Sequence, residues 1–192
     1  MRRAMAGGRR ELSKTERETW ETCIKTHIMH SLQRRGAGSV LGYLACDGEV
    51  NLDALLDVLE ANGAAVFLPR VRDKSRRKRD AVLVPVPWRD YVVAGAYNIR
   101  EPRPDLPPSN PALLEAVLVP GVAFCRNGTR IGFGGGFYDR YLPLLCPDAL
   151  IIGVAFDLQI VDTLPCEDHD VRVHEVCSES GCIKTTRPGA TA

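Results

Sequence analysis

The run from Val119 to Tyr141 constrains this chain more than any other. An apolar stretch ends at Pro120. A turn follows, and Arg130 leads into Gly132, Gly134, Gly135 and Gly136 before Phe137-Tyr138-Asp139-Arg140 opens a helix. Glycine, lacking Cβ, lets backbone N–H groups come close to an anion. The start of the following helix adds unpaired N–H donors and partial positive charge. Arg130 offers a two-pronged donor fork for phosphate. Asp139 sits where a carboxylate would hold Mg²⁺ against the same phosphates. This is the chemistry of a nucleoside triphosphate site. The plain alternative is a mobile turn, because glycine-rich turns are common. Neither the Walker pattern nor Gly-x-Gly-x-x-Gly occurs, so Arg130, Asp139 and the flanking strand and helix favour the phosphate reading.

The rest of the chain alternates helical and strand patterns. Ser13 is an N-cap for a helix through about Gln33, with Glu16 completing a capping box and Ile24, Ile28, Met29 and Leu32 forming its stripe. Asn51 caps a second helix, Leu52 to Ala61, which stops at Asn62-Gly63. Phe137 to Leu145 reads as a third, stopped by Pro147. Apolar strands are expected at 39–44, 64–68, 81–86, 113–119, 150–156 and 171–176, with a long surface loop over 95–111. Strands apolar throughout, alternating with helices, imply a single three-layer α/β/α domain with a largely parallel sheet. That domain spans 1–178, and a polar, flexible tail takes 179–192. Ligands in such folds sit beyond the carboxyl ends of the strands.

Length and composition narrow the class. The 192 residues suffice for one domain with a sizeable core. No apolar run approaches the roughly 18 residues of a membrane span, and no signal-peptide core follows the basic N-terminus. Lys plus Arg number 25 against 24 Asp plus Glu, so global charge argues for no polyanionic partner. Seven cysteines, with no Cys-x-x-Cys pair, read as reduced thiols in a cytoplasm and leave zinc without ligand pairs. Cys177 and Cys182 lie near the tail, where they could pair artificially. His27 and His30, three apart on a helix, read as surface residues. Arg70 to Arg79 is strongly basic, with no interleaved aromatics for base stacking. It reads as a solvated loop; a middle reading has Arg70, right after a strand end, facing the site, with the other charges attracting an anionic substrate.

These pieces together resemble the 5-formyltetrahydrofolate cyclo-ligase family over nearly the whole chain. The strongest matches are Pro120-Gly-Val-Ala-Phe124 and Gly128-Thr-Arg-Ile-Gly-Phe-Gly-Gly-Gly-Phe-Tyr-Asp-Arg140. Around them stand Tyr43 with Glu49, Leu68-Pro-Arg-Val71, Glu101-Pro102, Phe156-Asp-Leu-Gln159, Leu164-Pro165 and His169-Asp170. The resemblance implies a cytoplasmic, monomeric enzyme that closes 5-formyltetrahydrofolate, with or without a polyglutamate tail, to 5,10-methenyltetrahydrofolate. ATP and Mg²⁺ are required, ADP and phosphate are released, and an N5-iminium phosphate lies between. A formamide oxygen is a poor leaving group, and phosphorylation makes it a good one. The protein must align that oxygen with the γ-phosphate and neutralise developing charge.

Carried over by position, the family's phosphate loop falls on Arg130, Ile131, Gly132, Phe133, Gly134, Gly135, Gly136, Phe137 and Tyr138, with Phe133 to Phe137 also contacting folate. The metal carboxylates fall on Asp139 and Asp170. The substrate contacts fall on Leu44 and on Glu49, expected to hydrogen-bond the pterin. Arg130 and Asp139 are the expected catalytic pair. The bland readings are a loop acid for Asp170, an exposed turn acid for Glu49 and a core leucine for Leu44.

Three departures stand out. The family's N-terminal Lys-x-x-Leu-Arg segment aligns its arginine with Arg2 and its lysine before Met1, leaving Arg2 and Arg3 as candidate ATP cations. Cys125 takes a common aspartate position. Phe137 replaces a frequent tyrosine and its hydroxyl. Two other functions therefore stay open: a cyclo-ligase-like domain that binds RNA or a protein partner, and an ATP-dependent enzyme of this fold on another substrate.

Overall fold

The computed structural model describes residues 7–72, 82–87, 92–94, 100–103 and 105–185. Arg2, Arg3 and most of the basic run lie outside them. In chain order the elements are α1 (Lys14–Arg35), β1 (Ser39–Leu41), α2 (Asp53–Ala61), β2 (Ala65–Arg72), β3 (Val82–Pro87), β4 (Val92–Ala94), β5 (Arg100–Pro102), β6 (Ala116–Pro120), β7 (Ala123–Cys125), β8 (Arg130–Ile131), α3 (Phe137–Tyr141), β9 (Leu150–Val154), β10 (Ile160–Val161), β11 (Glu175–Ser178) and β12 (Gly181–Lys184).

The central sheet has seven strands in the order β12-β11-β9-β6-β1-β2-β3. The five inner strands run parallel, and β12 and β3 close the edges antiparallel. Its strands are apolar on both faces because both faces are covered. Val40, Leu118, Ile152 and Val154 join Ile24, Ile28 and Leu32 of α1 and Leu55, Leu56 and Leu59 of α2 in one core cluster. Leu41, Val117, Val119 and Ile151 turn the other way and join Tyr141, Leu142 and Leu145. Alternation along each strand thus separates two cores, the outcome of a two-residue side-chain period. Each fully buried Leu or Ile contributes about 1.5–3 kcal/mol.

The local signals hold at the ends of α1. Ser13 and Glu16 form the reciprocal capping box, and Gly36 closes the helix in the left-handed region at φ 70°. α2 starts at Asp53 rather than Leu52, with Leu52 as an N-cap that makes no side-chain bond, and Asn51, expected to be the cap, accepts from Asp53 N at 2.8 Å from one residue further out. Elsewhere the structure differs from expectation. The third helix is α only over Phe137–Tyr141 and tightens into a 3-10 turn at Leu142–Leu144, because Pro143 removes a ladder donor. The last parallel strand begins at Glu175 rather than Val171. The amides of Val171, Val173 and His174 go instead to Asp139, Gly128 and Ile151. Within the expected tail, 181–184 return as β12 while 186–192 lie outside the described residues, and Cys177, opposite Cys182 in this hairpin, is disulfide-bonded to it. The expected long loop contains β5, paired with β4. A small sheet, β10-β7-β8, gave no apolar run long enough to be read. Among the described residues, no helix is long and apolar enough to cross a membrane.

Candidate active site

β1 and β6 are neighbours, yet the chain leaves them in opposite directions. β1 continues through α2 to β2 on one side, and β6 continues by way of α3 to β9 on the other. Their carboxyl ends bound the crevice where such sheets bind ligands. Residues 42–50 form one wall, and residues 121–139 form the other.

The first wall turns at Asp47 and Gly48, both with positive φ. The turn sends Glu49 back inward, where it is only 7% exposed. Glu49 Oε2 accepts from Cys46 N at 3.0 Å, with Cys46 Sγ at 3.5 Å. Burial pushes the Glu49 carboxyl above its ordinary value, and the Cys46 N–H and the Arg9 charge only partly offset it. Burial, then Glu49, pushes the Cys46 thiol up to about 11. Tyr43 donates to Val50 O at 3.1 Å, and burial raises its phenol far above the usual range. Glu49 is therefore no exposed turn acid. Leu44 is half-buried and packs against the α1 and α2 core.

The second wall carries the glycine loop between β8 and α3. Gly134 and Gly136 have φ of 95° and 61°, which L side chains rarely adopt. Phe133, Gly134 and Gly135 are exposed, and Gly132, Gly136, Phe137 and Tyr138 are half-buried. Arg130 leaves β8 with its side chain only 4% exposed, and its Nη2 lies 2.6 Å from Asp139 Oδ1. Its guanidinium lies 5.8 Å from the centre of the Tyr138 ring. Arg130 Nε is buried with no hydrogen-bond partner among the described residues. Asp139 Oδ1 also accepts from Val171 N at 3.3 Å. Burial, then Glu49, raises the Tyr138 phenol, coupling the two walls electrostatically.

Arg9 bridges the walls. It is fully buried, donating from Nη1 to Gly121 O at 3.0 Å and from Nη2 to Asp47 O at 3.2 Å. Its guanidinium lies 5.7 Å from the centre of the Phe133 ring. Arg17 donates to Arg9 O and to Gly48 O. Sequence reasoning passed over Arg9 for Arg2 and Arg3. The signal was present: Arg9-Arg10 stands just ahead of the α1 N-cap, where the helix dipole disfavours cations. A cation placed there needs another partner.

The expected residues thus fall into groups. Glu49 and Leu44 stand on the first wall, and Ile131 through Tyr138, with Arg130 and Asp139, on the second. Arg2 and Arg3 lie outside the described residues. Asp170 stands on the segment adjoining Asp139, since the next amide is the donor to Asp139. Its Oδ2 accepts from Glu167 N at 2.8 Å. Among the described residues, the metal-spaced trio is Glu175, Cys177 and Cys182, far along the sheet from this crevice and already joined through sulfur. A cavity of about 440 Å³ beside Ser31, Arg34 and Glu175 contains no residue of either wall, and one of about 430 Å³ beside Asp157, Ser180 and Cys182 meets the second wall only at Arg126.

The donor set suits an anion. Exposed loop amides, a buried arginine with a spare N–H, and a helix start converge at one edge. The fit to a divalent cation is narrower. Both lone pairs of Asp139 Oδ1 are taken by Arg130 and Val171, which leaves Oδ2 for a metal.

The chain is similar to known proteins along nearly its whole length. The 5-formyltetrahydrofolate cyclo-ligase family matches residues 1–179. A 5-formyltetrahydrofolate cyclo-ligase of Mycolicibacterium smegmatis is 33% identical, over 97% of this chain and 96% of that one. One of Saccharomyces cerevisiae is 30% identical, over 88% and 86%. The solved 5,10-methenyltetrahydrofolate synthetase of Aquifex aeolicus aligns with a TM-score of 0.80 and 25% identity, over 100% of this chain and 94% of that one. That of Mycoplasma pneumoniae aligns with a TM-score of 0.75 and 22% identity, over 93% and 96%.

Proposed function

The chain belongs to the 5-formyltetrahydrofolate cyclo-ligase family and is a ligase, and from that premise we propose that it converts 5-formyltetrahydrofolate to 5,10-methenyltetrahydrofolate with ATP cleaved to ADP and phosphate. One observation carries the reading. The buried Arg130–Asp139 pair and the glycine loop stand across a switch-point crevice from the buried Glu49.

Each residue has a task in that reaction. Amides of Gly134, Gly135 and Gly136 and the Arg130 guanidinium hold the triphosphate. Arg130 then lies where negative charge grows as the formyl oxygen attacks the γ-phosphate. Asp139 fixes the Arg130 fork, so no reorganisation is needed during transfer. Phe133 and Phe137 offer apolar contact for the folate ring. The Glu49 carboxyl, pushed above its ordinary value by burial, meets the pterin edge, as an acceptor when ionised and as a donor when protonated. N10 attacks the phosphorylated formyl carbon, and phosphate leaves from that carbon. No covalent enzyme nucleophile takes part, which fits Cys46, whose raised pKa keeps it a thiol. Mg²⁺, when bound, offsets phosphate charge, and Asp139 Oδ2 with Asp170 would hold it. Within this reading the enzyme works in the cytoplasm as a monomer, and the substrate's glutamate tail is free to vary.

The decisive assay follows methenyltetrahydrofolate absorbance after mixing 5-formyltetrahydrofolate with protein. Product should form only with both ATP and Mg²⁺. No product across varied nucleotides and metals rejects the proposal.

A further inference from the structure

We infer that Arg9 is a positioning residue that clamps the two walls of the crevice at a fixed separation and thereby sets affinity for the folate substrate. The inference rests on the function proposed above but uses geometry that function leaves unexplained.

A fully buried arginine is costly unless it is paired and hydrogen-bonded. Among the described residues, Arg9 has no side-chain hydrogen bond to a carboxylate. Its two terminal nitrogens bind two backbone carbonyls instead, Asp47 O from the loop after β1 and Gly121 O from the end of β6. These carbonyls belong to segments 74 residues apart in sequence (121 minus 47). Only a planar fork spans both, because lysine offers a point charge on a flexible stem. Burial lowers the Arg9 pKa, and the Glu49 carboxylate is the largest opposing influence. The same guanidinium lies by the exposed Phe133 ring. One side chain thus links the turn that aims Glu49, the end of β6, and the apolar tip of the glycine loop. Gln159 reinforces the arrangement by donating to Gly121 O at 2.8 Å, so this carbonyl takes two buried donors.

The clamp makes a separable prediction. Losing it should loosen both walls and weaken substrate retention more than chemistry, since the Arg130–Asp139 pair is built within the second wall alone. Wild type, Arg9→Met and Arg9→Lys are compared by peptide-level hydrogen exchange and by steady-state kinetics. Arg9→Met should speed exchange in both 42–50 and 121–136 while leaving β9 protected. It should raise KM for 5-formyltetrahydrofolate about tenfold or more with kcat within about threefold. Arg9→Lys should recover the stability but under half of the KM effect. Exchange altered only near residue 9, or in β9 as well, overturns the clamp. So does an unchanged KM, or a kcat loss that matches the KM change. An inactive wild type would refute the proposed reaction, and the exchange comparison would still judge the clamp by itself.

Discussion

Arg130 Nη2 lies 2.6 Å from Asp139 Oδ1, with both side chains largely buried, so each residue holds the other in place at the edge of the glycine loop. Breaking a buried pair from one side strands the other charge, at about 3–5 kcal/mol. Arg130→Ala should lower stability by about 3 kcal/mol and raise the ATP requirement. Asp139→Asn keeps the shape and one acceptor, so its stability loss should be nearer 1–2 kcal/mol, while kcat falls about a hundredfold. Denaturant titration and turnover with ATP and Mg²⁺ varied check both. An unaltered ATP response removes Arg130 from the site, and an unchanged Mg²⁺ dependence removes Asp139 from the metal.

Glu49 gives a pH signature with a definite sign. Its folded pKa is raised, chiefly by burial, above the ordinary 4.5. Between that value and the folded pKa the native state holds more protons than the unfolded state. Its stabilising contribution is therefore complete below about 4.5 and is lost as pH rises through the folded pKa. Glu49→Gln removes this slope and keeps an acceptor for Cys46 N. The variant should match wild type near pH 4 and melt several degrees higher near pH 8, while binding folate more weakly. Melting curves across pH decide it. Parallel curves for the two proteins would show that Glu49 is not desolvated.

Much of this was readable from residues, and the failures have common causes. The α1 cap, the apolar strands and the largely parallel sheet follow from local rules that burial reinforces. The glycine loop was readable because its residues are contiguous. Arg9 was signalled only by its place ahead of the α1 N-cap, and its role was hidden because its partners, the Asp47 and Gly121 carbonyls, are distant backbone atoms with no side-chain signature. The inward turn of Glu49 depends on the left-handed Asp47-Gly48 pair, which sequence shows only as a turn. Strand β12 and the small sheet are short pieces whose pairing, rather than periodicity, makes them strands. The start of β11 slipped because tertiary acceptors claimed the amides of Val171, Val173 and His174.

The Cys177–Cys182 bond joins residues five apart, so it closes a small loop. Loop-closure entropy then gives it only about 2 kcal/mol. Reduction should lower the melting temperature by several degrees. It should leave turnover intact, because the hairpin stands at the sheet edge away from the β1–β6 crevice. The Cys177→Ser, Cys182→Ser double variant should melt like the reduced wild type and ignore reductant. A wild type whose melt is indifferent to reductant would contradict a stabilising cross-link.

The glycine loop separates backbone strain from ligand crowding. Gly136 has φ 61°, and a Cβ there would stand 2.8 Å from Arg140 Nη1. Gly181 has φ 141° with nothing within 4 Å of its Cβ position, and it lies far from the crevice. Alanine at either position carries a backbone penalty of about 1–2 kcal/mol. Stability alone should therefore not tell them apart. ATP should: Gly136→Ala raises KM for ATP about tenfold, since its Cβ displaces Arg140 and narrows the approach of phosphate to the loop amides. Gly181→Ala leaves that KM at the wild-type value. Gly136→Asn completes the comparison, because asparagine tolerates the left-handed region better than alanine. It should regain most of the lost stability and none of the ATP affinity. Recovery of both would mean that backbone strain, and not access to the loop amides, limits ATP binding.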